Sequence, residues 1–140
     1  MDTRLRELSH WASARFVPSG QATLSVADFV SVSDDASFRR YFRCPKLDQS
    51  IVFMDAPPDK EPLQGFLAIG NALSAAGVPV PEFYAVDLEA GFLALSDFGD
   101  QQLLGLVQDE PEAVLSMLSE VMGLLKNVAR VDCTLPEYSA

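Results

Sequence analysis

The sequence predicts an α+β fold: a five-stranded antiparallel sheet with one helix inserted after its third strand, a helix in front of the sheet and a long helix behind it. Three observations carry this expectation. Apolar residues alternate with a period of two along short stretches between residues 29 and 95, polar or glycine-containing turns separate those stretches, and elsewhere the apolar period changes to that of a helix. A chain of 140 residues, 49% hydrophobic and 21% charged, suits one domain and is too apolar for disorder.

Residues 3–16 read as a helix, with Leu5, Leu8, Ala12 and Phe16 on one stripe, Trp11 beside it, and Pro18-Ser19-Gly20 as the break. Phe29–Ser33 and Phe38–Arg43 read as two strands joined by the polar turn Asp34–Ser37. Alternation in the second sets Phe38, Arg40 and Phe42 on one face and Arg39, Tyr41 and Arg43 on the other. Ser50–Met54 is a third strand, stopped by Pro57-Pro58. Pro62 suits a first helical turn, Phe66, Ile69 and Leu73 repeat at helical spacing, and Gly77 supplies the stop. Phe83–Val86 and Phe92–Leu95 form a second hairpin about Asp87–Gly91. After the polar break Ser96–Asp100 a long helix starts near Pro111, with acids first and Lys126 and Arg130 last. Its apolar residues, among them Val114, Leu115, Leu118, Val121, Met122 and Leu125, cover most of its circumference, so it needs cover on nearly all sides. The sheet covers one side. Further chain, a partner, or self-association through residues 111–130 is expected to cover the rest.

The formal net charge of −10 argues against binding to nucleic acid, whose phosphates most of this surface would repel. Seven of the ten Lys and Arg residues fall in the first third, and Arg39, Arg40 and Arg43 crowd together there, which marks a local anion site. Cys44 and Cys133 show no metal or redox spacing, and they and His10 read as inert. The charged start Met1–Glu7 lacks the apolar core of a signal peptide, and no apolar run approaches the ~20 residues of a membrane helix. A cytoplasmic protein without a membrane partner is expected.

Four blocks carry a resemblance: Asp35-Ala36-Ser37-Phe38-Arg39-Arg40-Tyr41-Phe42-Arg43, Met54-Asp55-Ala56-Pro57-Pro58-Asp59-Lys60-Glu61, Ala76-Gly77-Val78-Pro79-Val80-Pro81, and Gly91-Phe92-Leu93-Ala94-Leu95-Ser96-Asp97-Phe98-Gly99-Asp100. In this order they resemble consecutive blocks of the aminoglycoside-phosphotransferase-like kinases, and within them look most like bacterial kinases of N-acetylmuramate and N-acetylglucosamine, which act at the anomeric hydroxyl in cell-wall recycling. The resemblance runs from about Asp28 to the end of the chain. It implies a protein-kinase-like small lobe over residues 1–95, a hinge at 96–100 and the start of a truncated C-terminal lobe at 101–140.

The resemblance also implies roles. Asp35, Ala36, Ser37 and Phe38 look like the turn that covers ATP phosphates with backbone N–H groups. Arg39 or Arg40 would add charge-assisted bonds to phosphate. Val52 and Met54 would press on the adenine faces, and the backbone of Leu93, Leu95, Ser96 and Asp97 would pair with the adenine edge. ATP and an amino sugar are the implied ligands, with Mg2+ held only by the C-terminal lobe. The chain departs from the kinase pattern in the third strand, which carries no lysine; Lys60 lies too far along to be a simple substitute, and no glutamate follows Glu61 in the next helix to make the usual ion pair. The catalytic and metal-binding aspartates of the family belong to the other lobe.

Bland readings stand beside these. Phe38 reads as packing, Asp97 as a buttress of the hinge, Asp55 as a strand-end residue, and the arginines, without their flanking block, as a solvated strand face. The enzyme reading is an ATP-dependent sugar 1-kinase of which this is the N-terminal part. Its alternative is a non-catalytic nucleotide-binding or protein-interaction module.

Overall fold

The computed structural model describes residues 2–32, 37–100 and 111–131. Among them run α1 (Thr3–Phe16), a single 3₁₀ turn at Val26–Asp28, β1 (Val30–Ser31), β2 (Arg40–Arg43), β3 (Ile51–Asp55), α2 (Leu63–Ala75), β4 (Phe83–Asp87), β5 (Phe92–Ser96) and α3 (Pro111–Val128). The five strands form one antiparallel sheet in the order β1-β2-β3-β5-β4, which with its inserted helix is the α+β small lobe of kinase-like proteins. Strand ends differ from the sequence pattern by a residue or two. The largest difference is in the first strand, where among the described residues only Val30 and Ser31 pair as strand and Val32 adds one further bond, its N–H to Tyr41 O at 2.9 Å; Ser33 and Asp34 of the expected strand and turn lie outside the described residues.

The chain divides into two compact units, Met1–Leu63 with Pro81–Asp97, and Gln64–Val80 with Phe98–Ala140. The first holds α1 and the sheet. Asp2 caps α1 by accepting the Leu5 N–H at 3.0 Å, which satisfies one donor that the first turn leaves open. Leu5, Leu8, Trp11 and Ala12 then pack on Phe42, Ile51, Phe53, Phe92 and Ala94. Phe53 is the centre of this core, with Trp11, Phe16 and Phe29 edge-on at ring distances of 5.5–6.5 Å. Because Phe42, Phe53 and Ala94 are register partners, alternation commits the other set, Tyr41, Arg43, Val52, Met54, Leu93 and Leu95, to the opposite face.

Asp55 ends β3 facing α1 and has no exposed surface. Its carboxylate accepts from Arg4 Nε at 2.7 Å and from Arg40 Nη2 at 2.5 Å; Arg40 also pairs with Asp2, and Arg4 Nη2 donates to Ala90 O at 2.7 Å. A buried carboxylate is tolerable only when paired in this way. The cluster ties the start of α1 to β2, β3 and the β4–β5 turn. That turn needs glycine at 91: φ is +73°, and a Cβ would stand 2.0 Å from Ala56 O, whose own N–H donates to Gly91 O at 2.9 Å.

In the second unit α2 ends as its sequence predicts. Gly77, at φ +77°, donates to Ser74 O at 3.0 Å and Val78 to Leu73 O at 3.0 Å, the paired bonds of a Schellman stop. On α3, Leu115, Leu118, Met122 and Leu125 are exposed at the spacing of one stripe.

Candidate functional site

The sheet face away from α1 gathers four of the residues that the sequence singled out. Val52 pairs with Leu95 and Met54 with Leu93 across the β3–β5 ladder, so the four side chains form one apolar platform, bordered by Tyr41 and Arg43 of β2. Met54, Leu93 and Leu95 are buried and Val52 is half-buried. Apolar side chains of this kind suit contact with the face of an aromatic base, and of the four only Val52 keeps appreciable exposed surface.

At one end of the platform Arg43 and Asp97 make a bidentate pair, Nε to Oδ2 at 2.6 Å and Nη2 to Oδ1 at 2.8 Å, and Ser50 Oγ donates to Asp97 Oδ2 at 3.3 Å. Asp97 therefore acts on Arg43 as a buttress. Ser96 is also engaged: its N–H donates to Glu82 O and its Oγ accepts from Glu82 N–H, both at 2.9 Å. Residues 92–96 lie between β3 and β4, so ladder bonds run to both sides of the strand. The backbone of Leu93, Leu95 and Ser96, offered to a ligand on sequence grounds, is thus spent on neighbouring strands, and Leu93 and Leu95 meet the platform through their side chains instead.

At the other end stand the residues offered for phosphate. Asp35 and Ala36 lie outside the described residues. Ser37 Oγ accepts the Arg39 N–H at 3.0 Å, and Phe38 is more than half exposed. Arg39 is ion-paired with Glu61 at 2.8 Å. Arg40 does not join them. Its guanidinium lies over the Phe42 ring on the α1 face and is taken up by Asp2 and Asp55, and these carboxylates, Asp2 first, raise its pKa above the ordinary arginine value. The same contact lowers the pKa of Asp2. The physical reason is parity: a strand residue next to one that faces the platform must face the core.

Sequence reasoning missed three features here. A glutamate was sought within the helix that follows, whereas Glu61 lies before it; Arg43 was only one of three arginines; and Asp55, which does end its strand, is also buried between Arg4 and Arg40. Burial of a lone carboxylate beside two arginines distant in sequence leaves no local signal. Cys44 is buried, which raises its thiol pKa. Among the described residues no three His, Cys, Asp or Glu side chains converge as a metal site, and no helix is long and apolar enough to cross a membrane.

A family model described as the phosphotransferase enzyme family matches residues 28–140, and the chain belongs to that family. The N-acetylmuramate/N-acetylglucosamine kinase of Pseudomonas aeruginosa is 43% identical over 110 residues, 76% of this chain and 32% of the relative. The kinase of the same name from Pseudomonas putida is 35% identical over 143 residues, 98% of this chain and 42% of the relative. That of Neisseria meningitidis serogroup B is 35% identical over 116 residues, 79% of this chain and 34% of the relative. The chain spans about a third to two fifths of the length of the curated relatives it matches.

Proposed function

We propose that this chain supplies the ATP-binding part of a cytoplasmic kinase that phosphorylates N-acetylmuramate or N-acetylglucosamine at the anomeric hydroxyl, as a step of cell-wall recycling. The observation that carries the reading is the Val52–Met54–Leu93–Leu95 platform with Arg39, paired with Glu61, at its end, in a chain whose relatives are kinases of these sugars. Adenine lies on the platform and its edge meets the backbone of Asp97, while the triphosphate runs toward Ser37, Phe38 and Arg39. Arg39 is the phosphate residue of the pair considered, and Arg40 holds α1 to the sheet. ATP used by such a kinase brings Mg2+, which screens phosphate charge, and among the described residues no three His, Cys, Asp or Glu side chains gather to hold it.

The test is ATP-dependent phosphorylation of the two sugars by the complete gene product. Arg39→Ala is expected to cost about 1.5–3 kcal/mol of transition-state stabilisation, the value of a charge-assisted bond. Arg40→Gln is expected to lower stability instead. Absence of sugar phosphorylation by the unaltered protein refutes the reading, and an Arg39→Ala enzyme with parental kinetics removes the phosphate role.

A second reading concerns the chain by itself. The stripe Leu115, Leu118, Met122 and Leu125 on α3 supports self-association of the 140-residue polypeptide through this helix.

A further inference from the structure

A kinase needs fixed positive charge at the phosphates of its nucleotide, and β3, the usual source, has none to give. Its one charged residue, Asp55, is buried on the α1 face between Arg4 and Arg40. At the Arg39 end of the sheet, two contacts tie the residues leading into β2 to the connection between β3 and α2. Lys60 Nζ stands 4.5 Å from the centre of the Phe38 ring, and Arg39 pairs with Glu61 at 2.8 Å. Folding thereby brings Lys60 to the block that its place in the sequence had seemed to put out of reach.

We propose that Lys60 is a phosphate-binding residue of the nucleotide site, the cation that stands in for the lysine missing from β3. This rests on the reading of the chain as an ATP-binding lobe. Three physical points carry it. Within the trio Arg39, Lys60 and Glu61, the glutamate neutralises the arginine, so Lys60 is the charge that leaves the group net positive. An aromatic face attracts an ammonium without accepting conventional hydrogen bonds, so the three N–H donors of Lys60 stay usable by an anion. The spacing also fits: Arg43 is level with Val52 and Val52 with Leu95, and Arg39 lies four residues back along the extended chain, about 13 Å at the ~3.3 Å rise of a strand. That is about the reach of a nucleoside triphosphate from its base to its terminal phosphate. The ligand chemistry is a polyphosphate anion, approached at the tip of a flexible four-carbon stem, with Phe38 as the rest position of the ammonium in the absence of nucleotide.

The experiment compares equilibrium binding of ATP and of adenosine to the complete gene product, unaltered and as Lys60→Gln and Lys60→Arg. Lys60→Gln is expected to weaken ATP binding by about tenfold to a hundredfold, the effect of one charge-assisted bond, with adenosine binding unchanged and with Lys60→Arg close to the parent. ATP binding that is unchanged in Lys60→Gln overturns the inference alone. Equal losses for ATP and adenosine also overturn it, since they assign Lys60 to holding the loop in shape. Failure of the unaltered protein to bind ATP overturns the proposed function and this inference with it.

Discussion

Replacing Asp55 by asparagine keeps its size and removes its charge, leaving Arg4 and Arg40 facing a buried neutral amide. Removing one partner of a buried ion pair costs about 3–5 kcal/mol. Here the carboxylate is fully buried, yet the arginines keep 30% and 38% of their side-chain surface exposed and Arg40 retains Asp2. Both facts soften the penalty, so the expected loss is the lower end, about 3 kcal/mol, or a fall in Tm of about 10–15 °C at this chain size. The chain carries a built-in reporter. Its single tryptophan, Trp11, lies against Phe53 and Phe92 in the same unit, so urea unfolding followed by its fluorescence reads the stability of the sheet and α1 together. The midpoint should fall at an unchanged slope. A double-mutant cycle with Arg40→Gln should show strong coupling, because the second change removes a charge that the first has already stranded. A loss below about 1 kcal/mol, or strictly additive losses, would refute the claim that this cluster pins α1 to the sheet.

Other outcomes follow from the same contacts. Gly91→Ala meets both a left-handed backbone and Ala56 O and should cost about 3 kcal/mol or more, whereas Gly20→Ala, at φ +88° with open space around it, should cost only about 1–2 kcal/mol; similar losses at the two sites in chemical denaturation would discount the close approach at 91. The Asp2 carboxyl, held below its ordinary value of 3.8 first by Arg40, contributes stability that is fully present above that value and is lost as pH falls through its lower folded pKa. The stability difference between the parent and Asp2→Asn should accordingly be flat from neutral pH down to about 4 and shrink at lower pH, and a difference that grows on acidification contradicts the pairing. Sedimentation of the 140-residue chain should show association that rises with concentration and falls in Leu118→Glu; a monomer at all concentrations removes the role given to α3.

Much of the fold was legible in the order of residues because its signals are local. The stripe of Leu5, Leu8, Ala12 and Phe16 marks α1, glycine at 77 stops α2, and alternation in β2 and β3 separates Phe42 and Phe53 from Arg43, Val52 and Met54 without reference to any other segment. That same alternation already set Arg40 with Phe42. What it could not say was which face the helix would cover, and so Arg40 was offered to phosphate beside Arg39. Only the tertiary structure decided that α1 lies on the Phe42 face, that β5 enters between β3 and β4 and spends its backbone there, and that Asp55 meets Arg4 and Arg40. It alone brought Lys60 to Phe38 and Glu61 to Arg39. The division has one cause: periodicity and capping are set by bonds and side chains within a few residues, whereas the partner of a buried charge, or the face of a sheet that a helix covers, depends on packing among segments tens of residues apart, where no short pattern in the chain records the distance.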